Sequence, residues 1–170
     1  MAGYGLPNEQ HLSVVLQNNL SLEGYNIEVM NGSVSGSTTA GGLNIAEWTL
    51  SENNIDLMIL CLGANDMLRG INPKETKNNL IEIIKIAKSK NIKVIIAGMI
   101  APTSYGAGYK KSFDKIFYDL SKKYKLQLIP FLLEGVAQKP EFNLSDGMHP
   151  NDQGTIIIGN TLKKAILENL

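Results

Sequence analysis

The chain is poor in the residues that usually announce a site. It has one cysteine, two histidines and one tryptophan among 170 residues. A single cysteine, Cys61, rules out an internal disulfide. It sits inside the apolar run Asp56–Leu62 (DLMILCL). A buried strand thiol is expected there, because free cysteine is among the most buried residue types. A reactive thiol would need an accessible, electropositive setting, and the flanking residues offer none. The two histidines, His11 and His149, belong to no ligand-spaced cluster, so no metal site is expected. No charge of either sign prevails: sixteen basic residues balance sixteen acidic ones. Nucleic acid and anionic membrane surfaces are therefore not expected as partners. No apolar run approaches the roughly 20 residues of a membrane span. The opening MAGYGLPNEQ does not read as a signal peptide. Repeats, linkers and low-complexity stretches are missing as well.

What is present reads as one domain over residues 1–170, long enough to bury about 70% of the surface an unfolded chain exposes. Four short apolar runs read as strands: Tyr25–Met30, Asp56–Leu62, Lys93–Met99 and Leu126–Ile129. The second and third are nearly continuous in apolar residues, as in parallel strands covered on both faces. Helical spacing alternates with them. It appears at Leu12, Val15, Leu16 and Leu20, and again at Leu80, Ile83, Ile84 and Ala87 behind Pro73. Phe113, Ile116, Phe117 and Leu120 mark another helix, and Trp48 and Leu50 belong to one beginning near Thr39. Ile158, Leu162, Ala165 and Ile166 mark the last, capped by Asn151 or Asp152. Strands alternating with helices predict an α/β fold with a parallel sheet. Ligands in such sheets bind beyond the carboxyl ends of the strands, and every loop of interest here follows a strand.

Three of those loops could carry chemistry. Asn31–Gly42 (NGSVSGSTTAGG) is rich in small residues that expose backbone N–H groups, and before a helix it could hold an anion. It could equally be a plain turn. It matches neither a Walker loop, nor G-x-G-x-x-G, nor G-x-S-x-G, since Val34 stands at the serine position. Gly63-Ala64-Asn65-Asp66 follows a strand directly, where Asn65 could aim an amide donor at a developing oxyanion. An Asx turn is the plainer alternative. Finally, Asp146 stands three residues before His149 and could hold one ring nitrogen so that the other acts as a base. The plainer alternative is a loop histidine beside a capping aspartate. Together the loops make most of an acyl-transfer kit, with no serine on a convincing elbow.

On these residues the chain resembles the SGNH (GDSL-type) hydrolases, in the bacterial arylesterase, acyl-CoA thioesterase and lysophospholipase branch. The matching blocks are Ala2–Pro7, Ser33–Gly42, Leu62–Gly70, Ala97–Gly106, Pro130–Ala137 and Asp146–Asn151. The resemblance implies a flavodoxin-like three-layer α/β/α fold with a parallel sheet. It implies an oxyanion hole from the Gly36 N–H and the Asn65 amide, and a general base His149 oriented by Asp146. It implies an acyl pocket bordered by Met67–Gly70, Met67 and Leu68 foremost, with Tyr105 and Gly106 opposite. It implies no metal or organic cofactor, and a small acyl ester or thioester as substrate. An upstream targeting segment would imply a periplasmic or secreted protein, and otherwise a cytoplasmic one.

Two departures accompany the resemblance. The family's nucleophilic serine sits in a Gly-Asp-Ser-Leu block just before the segment matching Ala2–Pro7, where this chain has Met1. Ser37 stands where an aspartate is usual. Ser33 and Ser35 flank the glycine and do not replace the nucleophile. The strand leading to that serine, central in the family's sheet, is missing too, so the natural protein is expected to be longer, with Met1 a misassigned start or a truncation. A catalytically inactive relative that binds acyl ligands or a partner is the alternative. A flavodoxin-like module using the Ser35–Gly42 loop for phosphate leaves the other two loops unexplained.

Overall fold

The computed structural model describes residues 2–51 and 54–170, and Met1 lies outside the described residues. Two compact units divide the chain: residues up to Ser35 together with Leu132–Leu170, and Gly36–Phe131.

The second unit carries the sheet. β1 (Leu57–Leu60), β2 (Lys93–Ala97) and β3 (Gln127–Ile129) pair in that order, all parallel. Leu57 lies opposite Lys93, and Ile95 opposite Gln127. Val94, Ile95, Ile96 and Ala97 are all buried, as their uninterrupted apolar run predicts. Four helices alternate with the strands: α2 (Thr39–Thr49), α3 (Ala64–Leu68), α4 (Pro73–Ser89) and α5 (Ala107–Tyr124), α1 (Leu12–Leu22) belonging to the other unit. Helix α4 starts where its sequence says it should. Pro73 occupies the first turn, and the Asn72 side chain accepts from the Lys74 N–H at 3.0 Å. Its buried stripe is Leu80, Ile83, Ile84 and Ala87, and that of α5 is Phe113, Ile116, Phe117 and Leu120.

The first expected strand does not form. Tyr25–Met30 has no regular secondary structure and belongs to no sheet. Its backbone is held by the Gln17 side chain, which donates to the Ile27 carbonyl and accepts from the Val29 N–H, both at 2.7 Å. Alternating apolar residues make a strand only when a neighbouring strand takes up their N–H and C=O groups, and among the described residues this segment has no such neighbour. The same cause corrects β1. Its sequence predicts cover on both faces, yet Leu57, Met58 and Ile59 are only half-buried, because β2 pairs one edge and no described strand pairs the other.

The first unit is built on α1 and α6 (Asp152–Leu167), which pack together where Gly159 of α6 lets Leu12 and Val15 of α1 come close; Leu12, Leu16 and Leu20 are the buried residues of α1, and Ile158 and Leu162 are among those of α6. Asn151 is the cap of α6, its side chain accepting from the Gly154 N–H at 2.9 Å. No helix among the described residues is long and apolar enough to cross a membrane.

Candidate active site

The Asp146–His149 pair sits in a tight turn of the first unit. The turn is closed by the Leu144 N–H donating to the His149 carbonyl at 2.7 Å and by an antiparallel bridge between Asn143 and Pro150. The Asn143 amide locks the preceding strand of chain, donating to the Val136 and Lys139 carbonyls at 2.8 and 2.7 Å. Inside the turn, Gly147 takes a left-handed φ of 66° that few other residues tolerate. Asp146 Oδ1 accepts the N–H groups of Met148 and His149 at 2.8 and 3.0 Å. Oδ2 meets His149 Nδ1 at 2.7 Å. Asp146 thus holds the ring and the turn together, and the helix cap that was its plainer role falls to Asn151. The ring also rests against Tyr4, centroids 4.4 Å apart and tilted by 34°.

These bonds hold the Asp146 carboxyl down at about 2, chiefly through the His149 N–H, then its ring and the Met148 N–H. With the carboxyl ionised, the shared proton belongs on Nδ1, which leaves Nε2 as the free lone pair of a neutral imidazole. A depressed folded-state value stabilises the turn above the ordinary aspartate range and loses that contribution as pH falls through the depressed value. The turn is therefore expected to persist through pH 4 and to open only as pH approaches about 2. The Asp146 carboxyl resonance followed by NMR checks this. A midpoint near the unfolded value of about 3.9 would contradict it.

The other candidates lie in the second unit. Gly36 is exposed with φ 71°, and no partner for its N–H is found among the described residues. The Asn65 amide donates one hydrogen to the Ser37 carbonyl at 3.1 Å, which leaves its second amide hydrogen available. The expected anion cradle at the start of α2 is already filled from within. The carboxylate of Asp66, fully buried, accepts the Thr39 N–H at 2.8 Å and the hydroxyls of Thr39 and Thr76. The Thr38 hydroxyl caps the Gly41 N–H. A free anion would find these donors committed, and Asp66 itself is the negative charge that a helix start favours.

Met67 is buried and Leu68 exposed at 43%. Tyr105 is half-buried and stacked on Tyr109, centroids 5.5 Å apart. Gly106 is exposed at φ 84°, where α5 begins. The Tyr109 hydroxyl donates to the Ile71 carbonyl at 3.0 Å, tying the Tyr105 end of α5 to the chain just beyond Met67–Gly70. Cys61, expected as a buried strand residue, stands just past the end of β1 and is half-buried; desolvation still pushes its thiol up, the opposite of what a reactive cysteine needs. Among the described residues no group of three or more His, Cys, Asp or Glu could hold a metal ion.

Sequence reasoning did not single out Tyr4, Asp66, Arg69 or Tyr109 for what they do. Tyr109 had a signal, since Tyr105, Tyr109, Phe113 and Phe117 recur every four residues. Asp66 and Arg69 had none, because their partners lie 27 to 33 residues away.

The model of the GDSL-like Lipase/Acylhydrolase family matches residues 1–155. An arylesterase of Vibrio mimicus is 35% identical over 169 residues, covering 99% of this chain and 84% of that protein. Esterase TesA of Pseudomonas aeruginosa is 36% identical over 149 residues, covering 88% and 74%. The crystal structure of TesA superposes with a TM-score of 0.93 at 32% identity, over 99% of this chain and 94% of that one. The fold class is thus the three-layer α/β/α arrangement with a parallel sheet seen in those structures.

Proposed function

Because the chain belongs to the GDSL-like lipase/acylhydrolase family, we propose that it serves a serine hydrolase of acyl esters or thioesters. The observation that carries this is the Asp146–His149 contact at 2.7 Å, with the carboxyl held at about 2. It supports a histidine whose Nε2 is ready to take a proton.

In the proposed reaction a serine encoded upstream of Met1 attacks the acyl carbon, and its hydroxyl proton passes to His149 Nε2. The carbonyl oxygen becomes an oxyanion, stabilised by the Gly36 N–H and the second amide hydrogen of Asn65. His149 returns the proton to the departing alcohol or thiol. A water molecule, deprotonated by the same nitrogen, then attacks the acyl-enzyme, releasing the acid and restoring the serine. Met67 and Leu68, with Tyr105 and Gly106, are the proposed borders of the acyl pocket. Relatives named arylesterase, esterase and thioesterase/lysophospholipase support this substrate range.

The test is hydrolysis of aryl esters, acyl-CoA thioesters and lysophospholipids by the gene product that includes the codons upstream of Met1. In an active product Asn65→Ala is expected to lower kcat by about 10²- to 10³-fold without changing the melting temperature. An unchanged rate would remove Asn65 from the mechanism.

A further inference from the structure

Three consecutive peptide groups after Gly36 are each held by a side chain from a single short stretch. The Gly36 carbonyl accepts from the Arg69 guanidinium at 2.9 Å. The Ser37 carbonyl accepts from Asn65 Nδ2 at 3.1 Å. The Thr39 N–H donates to Asp66 Oδ2 at 2.8 Å. Asn65 and Arg69 stand four residues apart and so share one face of the α3 turn.

The three grips differ in kind. Asp66 is fully buried and bonded to the Thr39 and Thr76 hydroxyls, while the Asn79 amide donates to Thr39 Oγ1 at 3.1 Å. That cluster anchors the start of α2 and with it the far end of the loop. Arg69 is exposed and reaches the opposite end, where the loop meets Gly36. A glycine at φ 71° has no side chain to restrict it, and only its flanking peptides decide where its N–H points. One of those two peptides is held by Arg69, through a charge-assisted bond stronger than a neutral one.

We propose that Arg69 is a positioning residue for the oxyanion site, fixing the direction of the Gly36 N–H by holding the Gly36 carbonyl. This rests on the reading of Gly36 as an oxyanion donor. The guanidinium itself touches no reacting atom. It acts through the peptide, so its loss weakens stabilisation of the developing charge and leaves ground-state binding of the acyl group alone.

Arg69→Met keeps the aliphatic stem and removes the donor, and Arg69→Lys returns a single donor. The first measurement is the 15N relaxation order parameter of the Gly36 N–H in the 170-residue chain, which needs no nucleophile. The order parameter is expected to fall in Arg69→Met and to recover partly in Arg69→Lys. The second is kinetics on an aryl ester with the active gene product. There kcat is expected to fall by about tenfold to a hundredfold, with KM and melting temperature unchanged and partial recovery in the lysine variant. An unchanged Gly36 order parameter overturns the proposal, as does a raised KM with kcat intact. If Arg69→Met loosens the Gly36 N–H while Asn65→Ala leaves the rate untouched, the grip stands and the oxyanion reading falls. If Asn65→Ala is crippling and the Gly36 order parameter is the same in every variant, the reverse holds.

Discussion

Replacing His149 with alanine is expected to lower kcat of the active gene product by on the order of 10⁶-fold, while the melting temperature stays where it was. The large loss follows from the role proposed for Nε2, which moves a proton in every step of acylation and deacylation. The unchanged melting temperature follows from the surroundings. The His149 side chain is 42% exposed, and its contacts are the Asp146 carboxylate and the Tyr4 ring. The turn that carries it is closed by backbone groups and by Asp146 Oδ1, none of which needs the imidazole. Asp146→Asn is the informative companion. An amide in place of the carboxylate cannot hold the proton on Nδ1 by charge, and the wrong tautomer costs about 10⁴-fold in a triad of this type. Stopped assays on one aryl ester, beside thermal melts of all three proteins, check both. Full activity in His149→Ala would end the proposed mechanism.

The largest effect on stability is expected at Phe113. Its ring is completely buried, stacked on Tyr109 at 6.0 Å and set edge-on to Phe117 at 5.7 Å. It also closes against Gly63, where even a methyl group would lie 3.6 Å from the ring. Phe113→Ala empties the middle of that row. A buried phenylalanine truncated to alanine costs about 3–5 kcal/mol, a large share of the roughly 5–15 kcal/mol that holds a domain folded. Urea unfolding of the variant is expected to show a midpoint lowered in proportion, with an unchanged slope. A loss below about 1 kcal/mol would mean that the neighbouring rings close the space.

Much of the fold was legible because its signals are local. The stripe at Leu80, Ile83, Ile84 and Ala87, with Asn72 and Pro73 before it, specifies α4 within its own residues. Asn151 does the same for α6. Tyr25–Met30 was misread because strand character is a property of pairs, and a single apolar alternation says nothing of the neighbour it needs. The candidate site divides along the same line. Asp146 and His149 are close in sequence, so a pattern of four residues exposes their contact. The hold of Asp66 on Thr39 and that of Arg69 on Gly36 bridge distant segments, and no spacing rule reaches them.

The Asp146 turn has one more consequence. All three of its carboxylate bonds close within four residues, so forming them ties off a very small loop and costs little chain entropy. The proposed acid–base pair is therefore a cassette whose internal geometry travels with its own short segment. Substitutions that soften the sheet would leave these bonds, and the proton on the same nitrogen, as they are. The hexapeptide from Leu144 to His149 thus carries the whole of that contact as a single word.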